Sequence, residues 1–578
     1  MSKYVRILTA IVAIVLGAAA LVAGIGQKTF WAPSETLTAA IPGSVEEAPL
    51  TVIESGVDEV NDEPIEITVK GDGEFLLALG RSSDVDAWVG DASVNRVTEV
   101  DAEERVLKTV HEGSEDVVPN PKGSDLWVAE DTVEGETVYT WTEPAEGDWS
   151  LLLAADGTEP APTDISVEWP NTATTPFSLG LIIVGALLVL FGLLRLLWPS
   201  KQGGSGAGAA DDSTREVPEV DGKNGHGSVA KRLTAAVATV ALTFSGATAA
   251  QAAESESAEP TSSESSPSPA EEQADDAPAH PVLMESQLER ILADVERVVG
   301  AADESLDRKG LRERMTGDAL SRRSANFGLR HSGVEMEAPE PIDGGNIRSA
   351  AVPSEAGWPR QIVVVTQSDG PVPLVNTLQQ LSPRDNYKVV SSVSMLPASS
   401  FPGLSPKDDR VRMLEPGAGD GLSESPEKAL DNLAAFLNED SEEGQERFEE
   451  NTFIDALHGK QNELKDANED FGAVSFERSV NKEETVALSV PDAGAVVVGS
   501  ITSTVTVEPK EEGGTIAWGD EDPMAPAYAK ITGVDETSGP VDFTYSEPVV
   551  LYVPASGEEG KIRVIAAQSM FEDVTIEE

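Results

Sequence analysis

Cysteine is absent from the 578-residue chain. That excludes disulfides, thiolate metal sites and thiol nucleophiles together. Basic residues are scarce: 41 Lys and Arg stand against 101 Asp and Glu, a formal net charge of −60. Phosphate backbones would be repelled, which argues against nucleic acid as a partner. Histidine is rare, with His111, His226, His280, His331 and His458 the full set, and no two lie at metal-ligand spacing. The sequence also lacks H-E-x-x-H, a Walker loop, a G-x-S-x-G elbow, a G-x-G-x-x-G turn after a strand and a D-x-D-x-D-G calcium loop. No cofactor and no catalytic residue is expected on these grounds. The D-x-D at Asp84-Val85-Asp86 has the pattern with which nucleotide-sugar transferases hold a divalent cation. It is the single weak metal candidate, and a structural role for it is the stronger expectation.

What the chain does have is three hydrophobic segments. The first runs from Ile7 to Gly26 behind Lys3 and Arg6. Its twenty residues, at 1.5 Å each, span about 30 Å, the thickness of a bilayer core. No small-x-small site closes it, and Trp31 suits an interfacial anchor, so it reads as an uncleaved helix. The second, Phe177 to Trp198, is rich in Leu, Ile and Val and carries Arg195 within snorkelling reach of the headgroups. Gly180, Gly185 and Gly192 mark a candidate helix-packing face on it. The third, residues 233–253, follows Lys231 and Arg232, has an Ala- and Thr-rich centre and ends in Ala250-Gln251-Ala252. It reads either as a third membrane helix or as an internal signal peptide cut after Ala252, before Ala253.

The positive-inside rule places Lys3, Arg6, Lys201, Lys223, Lys231 and Arg232 in the cytoplasm. The loop 199–232 is electrically neutral, so the cytoplasmic and membrane stretches carry +3 and the outer regions −63, which together make the chain's −60. The expected layout is a cytoplasmic N-terminus (1–6), a first helix (7–26), an outer domain (27–176), a second helix (177–198), a cytoplasmic loop (199–232) and the third segment. Beyond it, the acidic Ser/Pro-rich stretch 254–281 has the composition of a disordered linker. The outcome is a multi-pass cell-membrane protein with most of its mass extracytoplasmic.

In the outer domain, short β-type runs recur between Gly, Asp, Pro and Asn. They are PLTVIES, PIEITVKG, EFLLALG, VDAWVG, RVLKTV, DLWVAE, TVYTWTE, WSLLLAADG and DISVEWP. About nine strands in such a length predict an all-β sandwich. Trp88, Trp127, Trp141, Trp149 and Trp169 sit in or beside these runs and are expected in its core rather than on a ligand platform.

The C-terminal half reads as one α+β unit used twice, 282–400 and 425–578, joined by a connector at 401–424. In each, amphipathic helices precede a series of strands. Asp318-Ala319-Leu320 returns 137 residues later as Asp455-Ala456-Leu457, and Leu311 matches Phe448 at the same offset. Helices followed by a curved antiparallel sheet predict tandem rolls of the cystatin or nuclear-transport-factor-like kind. Such rolls often hold a pocket between helix and sheet.

The stretches LGRSSDVDAWVGDASVNRVT, GWPRQIVVVTQ and YKVVSSVSMLP, with the internal Ala-rich segment, resemble an uncharacterised family of actinobacterial multi-pass membrane proteins with a large extracytoplasmic C-terminal domain. Its members are sometimes labelled glycosyl transferases, a label that brings no catalytic residue to this sequence. The leading expectation is a non-catalytic scaffold or binding protein of the cell envelope, held in the lipid bilayer and meeting an envelope protein or glycan. The alternatives are an enzyme or accessory subunit of envelope glycan assembly, and a lipid or small-ligand carrier built on the C-terminal rolls.

Overall fold

The computed structural model describes residues 3–197 and 280–577, apart from 62, 174, 176, 355–356, 368–369, 371, 420, 512, 520–521, 523 and 559. The loop 199–232, the third hydrophobic segment with Ala250, Ala252 and Ala253, and the linker up to residue 279 lie outside the described residues. The chain divides into two compact units. The N-terminal residues to Ala32 group with those from Thr175 onward, and Pro33–Thr174 group with Ala277–Glu578.

In the first unit, α1 (Lys3–Lys28) and α3 (Ser178–Leu197) are both long and apolar enough to cross a membrane. They run antiparallel, in contact through glycine. A Cβ on Gly17 would lie 2.7 Å from the Gly185 carbonyl oxygen, and one on Gly185 would lie 2.7 Å from that of Gly17. Gly24 meets Ser178 and Gly192 meets Ala10 in the same way, each at 2.8 Å. Small residues let two backbones approach to this distance, where dispersion and weak polar contacts hold them. Gly185 and Gly192 therefore form the packing face read from the sequence, whereas Gly180 faces open space.

The second unit begins with an eight-stranded sheet of β1 (Thr36–Ala40), β2 (Leu50–Ile53), β3 (Glu66–Arg81), β4 (Val94–Asp101), β5 (Val106–Glu112), β6 (Ala129–Thr140), β7 (Trp149–Ala154) and β8 (Asp164–Pro170). Seven strands close a ring in the order β3-β7-β2-β4-β5-β1-β8 and back to β3, while β6 flanks β3 outside it. The long β3 permits closure. Its first half pairs with β8 and its second half with β7, on either side of a register shift between Lys70 and Glu74. Such a shift bends a strand and tightens its twist. PIEITVKG and EFLLALG are thus one strand rather than two.

VDAWVG is not a strand. It forms α2 (Ser82–Val89), with Val85, Trp88 and Val89 buried. Over six residues an alternating and an i, i+3, i+4 pattern fit the same letters, and only packing separates them. All five tryptophans of this region are buried.

The C-terminal half has three helices and then an antiparallel sheet, twice. First come α4 (Glu285–Ser305), α5 (Arg308–Arg314), α6 (Gly317–His331) and the four-stranded meander β9 (Ile347–Ala351), β10 (Arg360–Thr366), β11 (Leu374–Gln380) and β12 (Lys388–Ser394). RKGLRERMTGDALSRRSANFGL, which reads as one helix, breaks between α5 and α6. There Met315 and Thr316 are extended and Gly317 has a positive φ of 54°. Next come α7 (Pro426–Asn438), α8 (Glu442–Arg447) and α9 (Thr452–Asn468). A six-stranded sheet follows, built from β13 (Gly472–Val480), β14 (Val486–Val490), β15 (Gly494–Pro509), β18 (Val541–Pro554), β19 (Arg563–Ala567) and β20 (Met570–Ile576). Between β15 and β18 the chain makes an excursion carrying the short pair β16 (Ile516–Ala517) and β17 (Glu536–Thr537) and the helix α10 (Ala525–Thr532). AYAKITGV, which reads as a strand, lies largely in that helix.

The two sheets pack face to face through Val363, Val365, Val375 and Val393 on one side and Val496, Val498, Val550 and Ile565 on the other. Each sheet's opposite face is covered by its own helices. The half is therefore a four-layer stack, helices outside and sheets inside. The repeated Asp-Ala-Leu triplets both fall near the start of the third helix of a set, but Asp318 is buried and Asp455 exposed.

Candidate functional site

Asp84 and Asp86, the weak metal candidates, both lie in α2, and each faces an arginine. The Asp84 carboxylate is 2.6 Å from the Arg360 guanidinium, and both side chains are buried. Burial pushes the Asp84 carboxyl above its ordinary range, against the pull of Arg360 and Arg81. Asp86 meets Arg96 at 2.7 Å, and Arg96 also holds Glu54 and Glu112. Each carboxylate thus has a cationic partner of its own. Among the described residues no cluster of three or more His, Asp or Glu could hold a metal ion.

The Asp84–Arg360 pair joins the β ring to the first α+β module, and it has company. Asp125 accepts from Arg314 at 2.6 and 3.2 Å and from the Tyr387 backbone N–H at 2.8 Å. Arg384 donates to the carbonyls of Trp88 and Val89 at 2.9 Å, which are orphan acceptors at the C-terminal end of α2, and pairs with Glu115 at 3.0 Å. Gln287 donates to the Leu126 carbonyl at 3.0 Å. The role of these residues is to bind one part of the chain to another.

A different arrangement occurs in the second α+β module. Successive strands place their alternate residues in rows. Phe476, Val505 and Phe543 stand opposite one another across β13, β15 and β18, and so do Arg478, Ser503 and Tyr545. Side chains on one strand face alternate with period two, so both rows project from the same side of the sheet. Above them lies α9, whose residues Phe453, Ala456, Leu457, Lys460, Gln461 and Leu464 follow helical spacing on one face. That helix is tied to α7 rather than pressed onto the sheet. His458 Nε2 is 2.8 Å from the Phe436 carbonyl, and Gln461 donates to that of Leu437 at 2.8 Å.

A cavity of about 920 Å³ is left between helix and sheet, at the upper end of the range typical of small-ligand sites. Leu464, on the helix face turned to it, is still 37% exposed. The excursion between β15 and β18 supplies a second wall. Tyr528 packs edge-on against Phe543 (5.1 Å between centroids), Phe571 (5.3 Å) and Trp518 (5.7 Å). The Trp518 indole N–H is anchored on the Val534 carbonyl at 2.7 Å.

The inner end of the cavity is polar and nearly closed to solvent. Arg478 and Glu547 form a bidentate pair at 2.7 and 3.0 Å, with side chains 3% and 2% exposed. Arg478 also donates to the Leu437 carbonyl and to Asn438 Oδ1, and Ser569 donates to Glu547. Beside them the Ser503 hydroxyl is buried without a hydrogen-bond partner. Burial, and then the neighbouring negative and phenolic groups, push the Tyr528 and Tyr545 phenols above their ordinary range, so both stay neutral. Exposed Lys460, Glu463 and Asp522 stand at the rim. An apolar, aromatic cleft with a few fixed polar groups at its inner end is a geometry for holding a molecule.

Reading the sequence found none of these residues individually, though the signal was present. VDFTYSE puts Phe543, Tyr545 and Glu547 on one strand face, and SFER puts Phe476 and Arg478 on another. No family model, no curated protein and no solved structure matches the chain.

Proposed function

We propose that this protein is a non-catalytic, membrane-anchored binding protein of the bacterial cell envelope. Its second α+β module takes up a small ligand between α9 and the sheet. In this reading the three-helix-and-sheet modules are tandem rolls of the cystatin or nuclear-transport-factor-like kind, displayed outside the cell. The resemblance to actinobacterial multi-pass membrane proteins and the concentration of acidic residues outside the two apolar helices support that setting. The observation that carries the reading is the cavity of about 920 Å³. A cavity this large costs a module dispersion contacts and apolar burial that collapse would recover, and a ligand supplies the missing contacts.

The test is amide hydrogen exchange of the full chain in lipid nanodiscs, with and without a short-chain amphiphile such as 1-octanol. Exchange at 453–468 and 525–547 slows on addition, and Leu457→Trp, which puts a larger side chain into the cavity, weakens the effect. Unchanged exchange at both segments up to saturating octanol would sink the reading.

A further inference from the structure

Resting on that reading, we infer that the cavity selects an uncharged amphiphile, with an apolar body lying against the aromatic wall and a hydroxyl or carbonyl head at Ser503. The inner end holds two full charges, but they are spent on each other. Nε and Nη2 of Arg478 go to Glu547, and its Nη1 goes to the Leu437 carbonyl and Asn438. Glu547 accepts from Arg478 twice and from Ser569. A carboxylate or phosphate arriving there would be desolvated without a free cation to meet it, and would lie close to the Glu547 carboxylate. An ammonium head would be desolvated beside Arg478 in the same way. Burying an uncompensated charge is among the largest penalties a site can impose.

A neutral head escapes that penalty and finds a partner. Ser503 is 1% exposed and its hydroxyl lacks any hydrogen bond. A hydroxyl can donate or accept, so it satisfies either an alcohol or a carbonyl head. The neighbouring row, Phe476, Val505 and Phe543, is wholly apolar, and Trp518 and Tyr528 continue it. Two cations of α9 stand beside the cavity, Lys460 at its rim and Lys465 with Nζ 5.3 Å from the Phe476 ring centroid, and both are exposed. Solvent screens both, so neither offers a buried charge to a head seated at Ser503.

The experiment compares 1-octanol with octanoate at pH 8, titrated against the full chain in nanodiscs, with exchange protection of 453–468 and 525–547 as the readout. These segments report occupancy of the cavity, and the two compounds are compared at equal free aqueous concentration because octanol partitions into lipid more strongly than octanoate. Octanol protects at a concentration at least about tenfold below octanoate. Ser503→Ala weakens octanol by about three- to tenfold and leaves octanoate unchanged. Equal or tighter binding of octanoate overturns the selectivity for neutral heads while leaving the cavity as a ligand site. Full octanol affinity in Ser503→Ala overturns the role of Ser503. Protection by neither compound removes the ligand site itself. Thermal unfolding of the Ser503→Ala protein, expected to match the parent, shows that its fold is intact.

Discussion

Arg314 shows how the acidic surplus of this chain is used internally. Its side chain is 6% exposed and reaches Asp125 in the loop between β5 and β6 and Asp294 in α4 at once. Burial alone would lower the pKa of its guanidinium, and the two carboxylates outweigh that, so the net direction is upward. Removing one member of such a set leaves the others charged and dry. Arg314→Ala should therefore cost about 3–5 kcal/mol, read as a lower urea midpoint for the second unit in solubilised protein. Lys70→Ala is the control. The Lys70–Glu136 pair is half exposed on both sides, and its loss should change stability by less than about 1 kcal/mol. Nothing in the sequence around Arg314 distinguishes it from the arginines beside it in RKGLRERM. Its partner Asp125 is 189 residues away, and single-sequence patterning carries no information at that range.

Secondary elements test two further contacts. In the helix pair, a side chain at Gly185 collides with the Gly17 carbonyl, so Gly185→Leu must push α1 and α3 apart. Because the chain has no cysteine, two introduced cysteines carry spin labels without interference. Labels at Leu8 and Leu194, both exposed, should move further apart in the Gly185→Leu protein, and Gly180→Leu should leave their distance unchanged. The second contact is the joint between α6 and the sheet of the other module. Burial, then the nearby Asp318 charge, raises the carboxyls of Glu484 and Glu572. Their folded pKa values lie above the unfolded value near ~4.3, so the folded state binds these protons more tightly. The resulting stabilisation is complete below the unfolded value and is lost as pH rises through the folded ones. Thermal midpoints should rise from pH 7.5 to pH 5, and Glu484→Gln should flatten that rise. Asp294, whose carboxyl is lowered overall because Arg297 and Arg314 outweigh its burial, contributes only at more acidic pH.

At the scale of the molecule, the β ring and the C-terminal half belong to one compact unit although some hundred residues separate them in sequence. Buried ion pairs and backbone contacts from Arg314, Arg360, Arg384 and Gln287 join them. Continuity of the chain between 198 and 280 is then not needed to hold them together. A specific protease site inserted at residue 265 and cut should leave both fragments co-eluting in size-exclusion chromatography at physiological salt. Arg314→Ala combined with Arg360→Ala should release the C-terminal fragment after the cut. Separation of the parent fragments would show that the linker, and not the interface, retains the C-terminal half. The same interface answers what a cut after Ala252 would do: the C-terminal half would stay with the ring.

Local pattern alone determined the two apolar helices, the strand-rich region between them and the helices-then-sheet order of the C-terminal half. Hydrophobic run length, alternation and helical spacing act over a few residues and survive in one dimension. It failed where a short run satisfied two periods, at VDAWVG and AYAKITGV, and where one strand served two neighbours, at β3. Ring closure, the stacking of the two sheets, the pairing of Asp84 with Arg360 and the opening between α9 and its sheet were decided by tertiary structure. Each depends on which distant surfaces meet, and burial fixes that only when the whole chain is packed.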